Sequence, residues 1–242
     1  MATSIVMKFS IATIGTAFIT LGTFSTAQAG LIDFDTDANG NPIDAPFLFS
    51  DTTALTNLYA PLGVTFSGPF QLSGGSILNQ GSNFGVNALS GSNFLAFNRD
   101  TTLSDGGLPT DPETISFADL ISDFSIFAAG GFDFLFPEEF EPTTFQLQAF
   151  DINNLLLGTD TITPAVGEWK QLKFSSSLGN ISKVVLTGIG ETNAFVYDNL
   201  SFTPASKSVP EPGSVLGLIA FGACGATSLL KRKQHQKAAS KA

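Results

Sequence analysis

The 242-residue chain is poor in the residues most catalytic sites need. Its one cysteine, Cys224, lies inside a long apolar run near the C-terminus, and its one histidine, His235, follows that run. The segment between residues 30 and 208 therefore has neither. It cannot form a Ser-His-Asp or Cys-His catalytic site or a typical zinc site, nor an internal disulfide. Cations are nearly as scarce. Arg99, Lys170, Lys173, Lys183 and Lys207 face every Asp and Glu of the chain except Glu211, for a net charge near −15. Such a surface repels nucleic acid and anionic lipid, and it tolerates divalent cations and neutral polysaccharide. No amphipathic stripe of helical period occurs, and no repeat or internal domain boundary is visible.

Hydrophobic runs occur only at the two ends. Residues 1–29 read as a secretory signal peptide: Lys8, an apolar run from Ile11 to Leu21, and Ala27-Gln28-Ala29 as the cleavage site. At the other end, a linker over 206–212 carries Val209-Pro210-Glu211-Pro212. The uncharged stretch Gly213–Leu230 follows, then a basic tail over 231–242 that opens Lys231-Arg232-Lys233. The stretch has the length of a minimal transmembrane helix, with the basic cluster expected on the cytoplasmic side. The prolines keep the preceding peptide extended and accessible outside the bilayer. An ordinary membrane anchor is the simpler reading of the same pattern.

This tail closely resembles the PEP-CTERM sorting signal of exported bacterial proteins. The resemblance implies recognition of Val209, Pro210, Glu211 and Pro212 by an exosortase. It also implies transient anchoring in the inner membrane, a final place at the cell surface or in the extracellular matrix, and association with exopolysaccharide.

What is abundant in the body is phenylalanine, in short β-branched and aromatic segments separated by Gly, Asn, Asp, Ser and Pro. Strands are expected near Leu31–Phe34, Val64–Ser67, Phe94–Asn98, Ile115–Phe117, Phe124–Ala128, Thr144–Asp151, Leu155–Thr161, Lys170–Ser175, Val184–Ile189 and Phe195–Phe202. Helical turns are expected at Thr53–Tyr59 and Phe117–Ile121. This pattern predicts an all-β domain over 30–205, an antiparallel β-sandwich of jelly-roll type. The phrases Tyr59-Ala60-Pro61-Leu62-Gly63-Val64-Thr65-Phe66, Leu147-Gln148-Ala149-Phe150-Asp151 and Tyr197-Asp198-Asn199-Leu200-Ser201-Phe202 look like those of other PEP-CTERM proteins. Their bodies resemble carbohydrate-binding-module sandwiches.

Four residues are candidates for calcium. Asp35-Thr36-Asp37-Ala38-Asn39-Gly40 places oxygen ligands at alternate positions before a glycine, like the opening of a calcium loop. Pro46 stands where an EF-hand needs its glutamate, so a β-type site borrowing ligands is the remaining form, with Asp44 close by. Period-two counting puts Asp198 on one face with Val196, Leu200 and Phe202, where an inward carboxylate needs a partner. The family resemblance brings first and last strands together, and so Asp198 towards Asp35, Asp37 and Asn39. The competing reading is an Asx-type turn at 35–40 and, at 198, a carboxylate accepting backbone N–H bonds.

Glu138, Glu139 and Glu141, after Asp133, contain the two carboxylates a glycosidase needs, yet flanking Pro137 and Pro142 mark a solvated loop. Trp169, Tyr59 and Tyr197 are the aromatics with polar handles able to stack on sugars. Trp169 begins an alternating strand and reads more readily as a core or edge residue. Ser73–Ser76 and Ser104–Gly107 read as loops. The expected function is non-enzymatic carbohydrate binding or a structural role at the surface, with calcium as a structural cofactor. A carboxylate-based glycan-processing enzyme and a purely adhesive protein without small ligand are the alternatives.

Overall fold

The computed structural model describes residues 29–69, 72, 74–82, 84–97, 112–131, 144–189 and 195–206. The expected signal peptide, the sorting motif, the apolar span, the basic tail and the Asp133–Glu141 carboxylates lie outside the described residues. Among those described, no helix is long and apolar enough to cross a membrane.

The described residues form ten strands: β1 (Gly30–Ile32), β2 (Val64–Ser67), β3 (Ser76–Asn79), β4 (Asn93–Ala96), β5 (Glu113–Gly130), β6 (Thr144–Phe150), β7 (Leu156–Ile162), β8 (Lys170–Ser175), β9 (Ile181–Ile189) and β10 (Phe195–Pro204). Two short 3-10 turns, Phe49–Asp51 and Ala60–Leu62, are the only helical elements among the described residues. Every pairing between named strands is antiparallel. The all-β antiparallel expectation holds.

Hydrogen bonding runs in the order β3-β4-β10-β5-β9-β6-β7, with β1 on β10 and both β2 and β8 on β5. The 18 residues of β5 would span roughly 60 Å if straight, at about 3.3 Å each. The strand bends instead. Its first half lies between β2 and β9, its second between β10 and β8, and its register to β9 shifts between Ser116 and Ile121. Phe145 on β6 and Phe195 on β10 show that the halves face each other. The two strands are three places apart in the order, about 14 Å in a flat sheet, yet their rings are 5.2 Å apart. The sheet has folded over β5 into two layers.

The core between the layers is built from alternate positions. Phe145, Leu147 and Ala149 of β6, Val184 and Leu186 of β9, Phe195 and Tyr197 of β10, and Ile126 and Leu172 of β5 and β8 share one cluster. Full burial of each Val, Leu, Ile or Phe among them stabilises by about 1.5–3 kcal/mol. Glycines admit the largest rings: a Cβ on Gly188 would sit 2.1 Å from Phe195, and one on Gly158 2.4 Å from Phe174.

The fold-over gives the molecule two unlike ends. At the bend lie the β6–β7 turn, the β8–β9 turn, the end of β10 and the start of β1, where Gly30 pairs with Phe202. Strand ends Glu113, Gly130, Ile189 and Phe195 lie at the other end.

Three expectations are corrected. Ile115–Phe117 and Phe124–Ala128 are one strand, and the expected helical turn at Phe117–Ile121 is its bend. Ser76–Asn79 is a strand that alternation did not show. At Thr53–Tyr59 the chain makes turns, and the 3-10 turn follows at Ala60–Leu62.

Candidate functional site

Between β3 and β4, residues 80–82 and 84–92 fold back as a flap over the outer surface of the second layer, the one that holds β3, β4 and β10. Phe84 and Val86 of the flap cover Leu78, Phe94, Ala96, Ala129 and Val196, with Ala88 and Trp169 packed against them. This second cluster uses strand positions that alternate with those of the main core. Phe84 meets Phe94 edge-on, ring centres 5.5 Å apart.

Polar contacts hold the flap at intervals. Asp198 Oδ2 accepts from the backbone N–H of Leu89 and Ser90 at 2.9 and 3.1 Å. Asp35 Oδ1 accepts from the N–H of Ser92 and Asn93 at 2.8 and 3.1 Å. Ser90 Oγ donates to Asn199 Oδ1 at 2.9 Å, and Ala88 N donates to Gln80 Oε1 at 3.0 Å. Trp169 completes the set: its Nε1–H donates to Asn87 O at 3.0 Å. The flap is latched on both flanks.

Asp198 is fully buried, but not where alternation placed it. Asn199 adopts a left-handed conformation, φ 50°, and the register between β10 and β5 shifts from Asp198 to Ser201. This bulge reverses the faces. Val196 and Asp198 point outward under the flap, while Leu200 and Phe202 point into the main core. Burial pushes the Asp198 pKa up to about 6. The N–H groups of Ser90, Asn199 and Leu89 oppose the rise, and the charge of Asp35 adds to it.

The expected calcium ligands separate into two sets. Asp35 and Asp198 both serve flap backbone. Asp37 closes its own turn, with Oδ1 accepting from Asn39 N and Asn41 N and Oδ2 from Asn41 Nδ2, at 2.8 to 2.9 Å. These hydrogen bonds hold its pKa below the usual carboxylate value. Asn39 enters this turn as a donor to Asp37, from its backbone N–H at 2.8 Å and from its side chain. Asp33 closes a second turn, its Oδ1 accepting from Asp35 N, Thr36 N and Thr36 Oγ1. Among the described residues no group of three or more His, Cys, Asp or Glu is placed to hold a metal ion. As placed, these carboxylates accept from backbone N–H donors.

Two of the three candidate stacking aromatics are internal. Tyr59 is buried and donates from Oη to Thr36 O at 2.8 Å, and Tyr197 is buried between Phe97 and Phe145. Burial raises both phenol pKa values well above normal. Trp169 is half-buried. It borders a cleft of about 290 Å³ with Gly85, Asn87, Leu89 and Gly167. On the other side of the flap, Phe47, Leu48, Gln80, Ser82 and Asn87 line one of about 490 Å³. Neither cleft has an ionisable side chain in its lining. The neighbouring charges Glu168 and Lys170 pair with each other at 3.2 Å. Sequence reasoning missed the flap and Phe47 because no periodicity marks a loop that packs on a sheet.

No family model and no curated protein matches the chain. Among solved structures it is similar to the K1 adhesin domain of Lys-gingipain from Porphyromonas gingivalis W83, with TM-score 0.43 and 12% identity, over 74% of this chain and 99% of that one. It is also similar to the C-terminal family 22 carbohydrate-binding module of Clostridium thermocellum Xyn10B, with TM-score 0.37 and 17% identity, over 61% and 89%. A third is TmCBM61 in complex with β-1,4-galactotriose, with TM-score 0.31 and 13% identity, over 63% and 94%.

Proposed function

We propose that this chain is an exported, non-enzymatic surface or matrix protein of jelly-roll type that binds a neutral glycan along the clefts flanking the flap. The observation that carries the reading is the lining of those clefts. In a body of net charge near −15 they hold Trp169, Phe47, Asn87, Gln80 and Ser82 without an ionisable group. Aromatic faces pack on the C–H surface of a sugar, and amides and hydroxyls match its hydroxyl groups. Volumes of about 290 and 490 Å³ fall near the usual ligand-site range of ~300–1,000 Å³. The hydrogen bond from Trp169 Nε1 fixes the indole before any ligand arrives, which lowers the ordering cost of binding.

The ends of the sequence supply the route. A signal peptide over residues 1–29 and a PEP-CTERM tail from Val209 would deliver the body across the inner membrane to an exosortase, and from there to the exopolysaccharide.

Co-sedimentation of the purified chain with extracted bacterial exopolysaccharide tests the binding. The wild type is expected to saturate, and Trp169→Ala to bind roughly tenfold or more weakly, the loss of one anchoring aromatic. Equal binding by both proteins would remove Trp169 from the site. No saturable binding by the wild type would favour a purely structural role.

A further inference from the structure

The bend end of the molecule carries a second surface. Leu62, Leu120, Ile152, Leu155 and Leu178 are all exposed there, Ile152 at 74% and Leu178 at 82%. They come from the 3-10 turn at Ala60–Leu62, the bend of β5, the β6–β7 turn and the β8–β9 turn, which the fold gathers at one end. Ala118 N donates to Gly63 O, Ala205 N to Leu120 O, and Ser176 N to Ser122 O, at 2.7 to 2.9 Å. Ser182 Oγ donates to Phe150 O, which brings the β8–β9 and β6–β7 turns together.

These loops are rigid supports for apolar tips. Asp151 Oδ1 accepts from Asn153 N and Leu155 N at 2.8 Å, holding Ile152 outward at the turn. Gly179 takes φ 57°, where a Cβ would meet Ala205 at 2.8 Å, and so fixes Leu178 beside the exit of β10.

The chain leaves the sandwich at this same end. Ser206 follows β10, and only six residues, 207–212, precede the apolar stretch 213–230. They reach about 20 Å at most. The first residue of β1 lies there too, paired with Phe202. A bilayer holding residues 213–230 would face the bend end, with the opposite end directed away.

From this we infer that the bend end docks on the lipid surface, inserting its aliphatic tips at the interface while residues 213–230 span the bilayer. The inference rests on the reading of 213–230 as a membrane span. Its occupant is a zwitterionic lipid surface, taken by apolar insertion and not by charge. Asp119 and Asp123 stand beside the tips, and Lys183 is engaged over the Phe150 ring at 5.3 Å. Interfacial binding of this kind scales with buried apolar area.

The test uses the full chain with Cys224→Ser, reconstituted in phosphatidylcholine vesicles. Single cysteines replace Ile152, Leu178 or, at the opposite end, Val166, and carry an environment-sensitive dye. A lipid-borne nitroxide near the headgroups is expected to quench the dye at 152 and 178 at least about twofold more than at 166. Equal quenching at all three, in protein that floats with the vesicles, would overturn docking and leave the span intact. Failure to float would overturn the span and the docking with it. Quenching that appeared only when a membrane protein partner was added would also contradict a lipid occupant.

Discussion

Asp198 shows how far one residue can be read from sequence. Its need for a partner was legible, because a buried carboxylate is costly and the body has few cations. Its partners were not, since backbone N–H donors from residues 89 and 90 leave no mark at a distance of over a hundred positions. A testable pH dependence follows from its environment. Its pKa is 3.8 when exposed and about 6 in the fold, raised chiefly by burial. Between those values the folded state binds more protons than the unfolded state, so stability from this group rises as pH falls through about 6. Its cost is fully present above the folded value. Asp37, Asp123 and Glu168, all held below their usual values, act in the opposite direction. Comparison with Asp198→Asn isolates the group. Going from pH 7.5 to 5, the wild type should gain stability relative to the variant, on the order of 1 kcal/mol. Parallel pH curves for the two proteins would contradict this.

At the scale of elements, alternation located most strands and failed where the backbone departs from it. Val64–Ser67 and Lys170–Ser175 have the bounds their sequences imply. β5 looked like two strands because Ala118-Asp119-Leu120 carries no buried alternation at the bend. β3 was missed because four residues with three buried in a row give no period. The bulge at Asn199 inverted the expected faces of β10, and it makes a prediction of its own. Asn tolerates the left-handed region and its side chain accepts from Ser90. Asn199→Val should cost about 2 kcal/mol, from left-handed strain and the lost hydrogen bond. Asn199→Gly should lose less than half of that. The denaturant midpoint should move and the slope should not. A valine variant as stable as wild type would show that the bulge relaxes freely.

The whole molecule has an orientation that neither its residues nor its strands reveal alone. One sheet folded over β5 places both exits of the sandwich at the bend, together with exposed Leu62, Leu120, Ile152, Leu155 and Leu178. The latched flap sits on the outer surface of the second layer, clear of that end. The acidic surface was legible from composition, as were the all-β class and the absence of His and Cys chemistry. The uncharged clefts were not, because they arise where a loop crosses a sheet and their residues come from positions 47–48, 80–82, 85–89, 167 and 169. In the proposed function the flap and Trp169 are the centre of recognition. Trp169 is the only tryptophan in the chain, so its fluorescence reports on that site in unmodified protein. The most direct measurement is a titration of the purified chain with soluble neutral fragments of exopolysaccharide, following tryptophan emission. A saturable change, with the same midpoint as binding measured by sedimentation, is the predicted result. Saturable sedimentation with an emission spectrum that stays fixed throughout would place the glycan elsewhere and contradict the account.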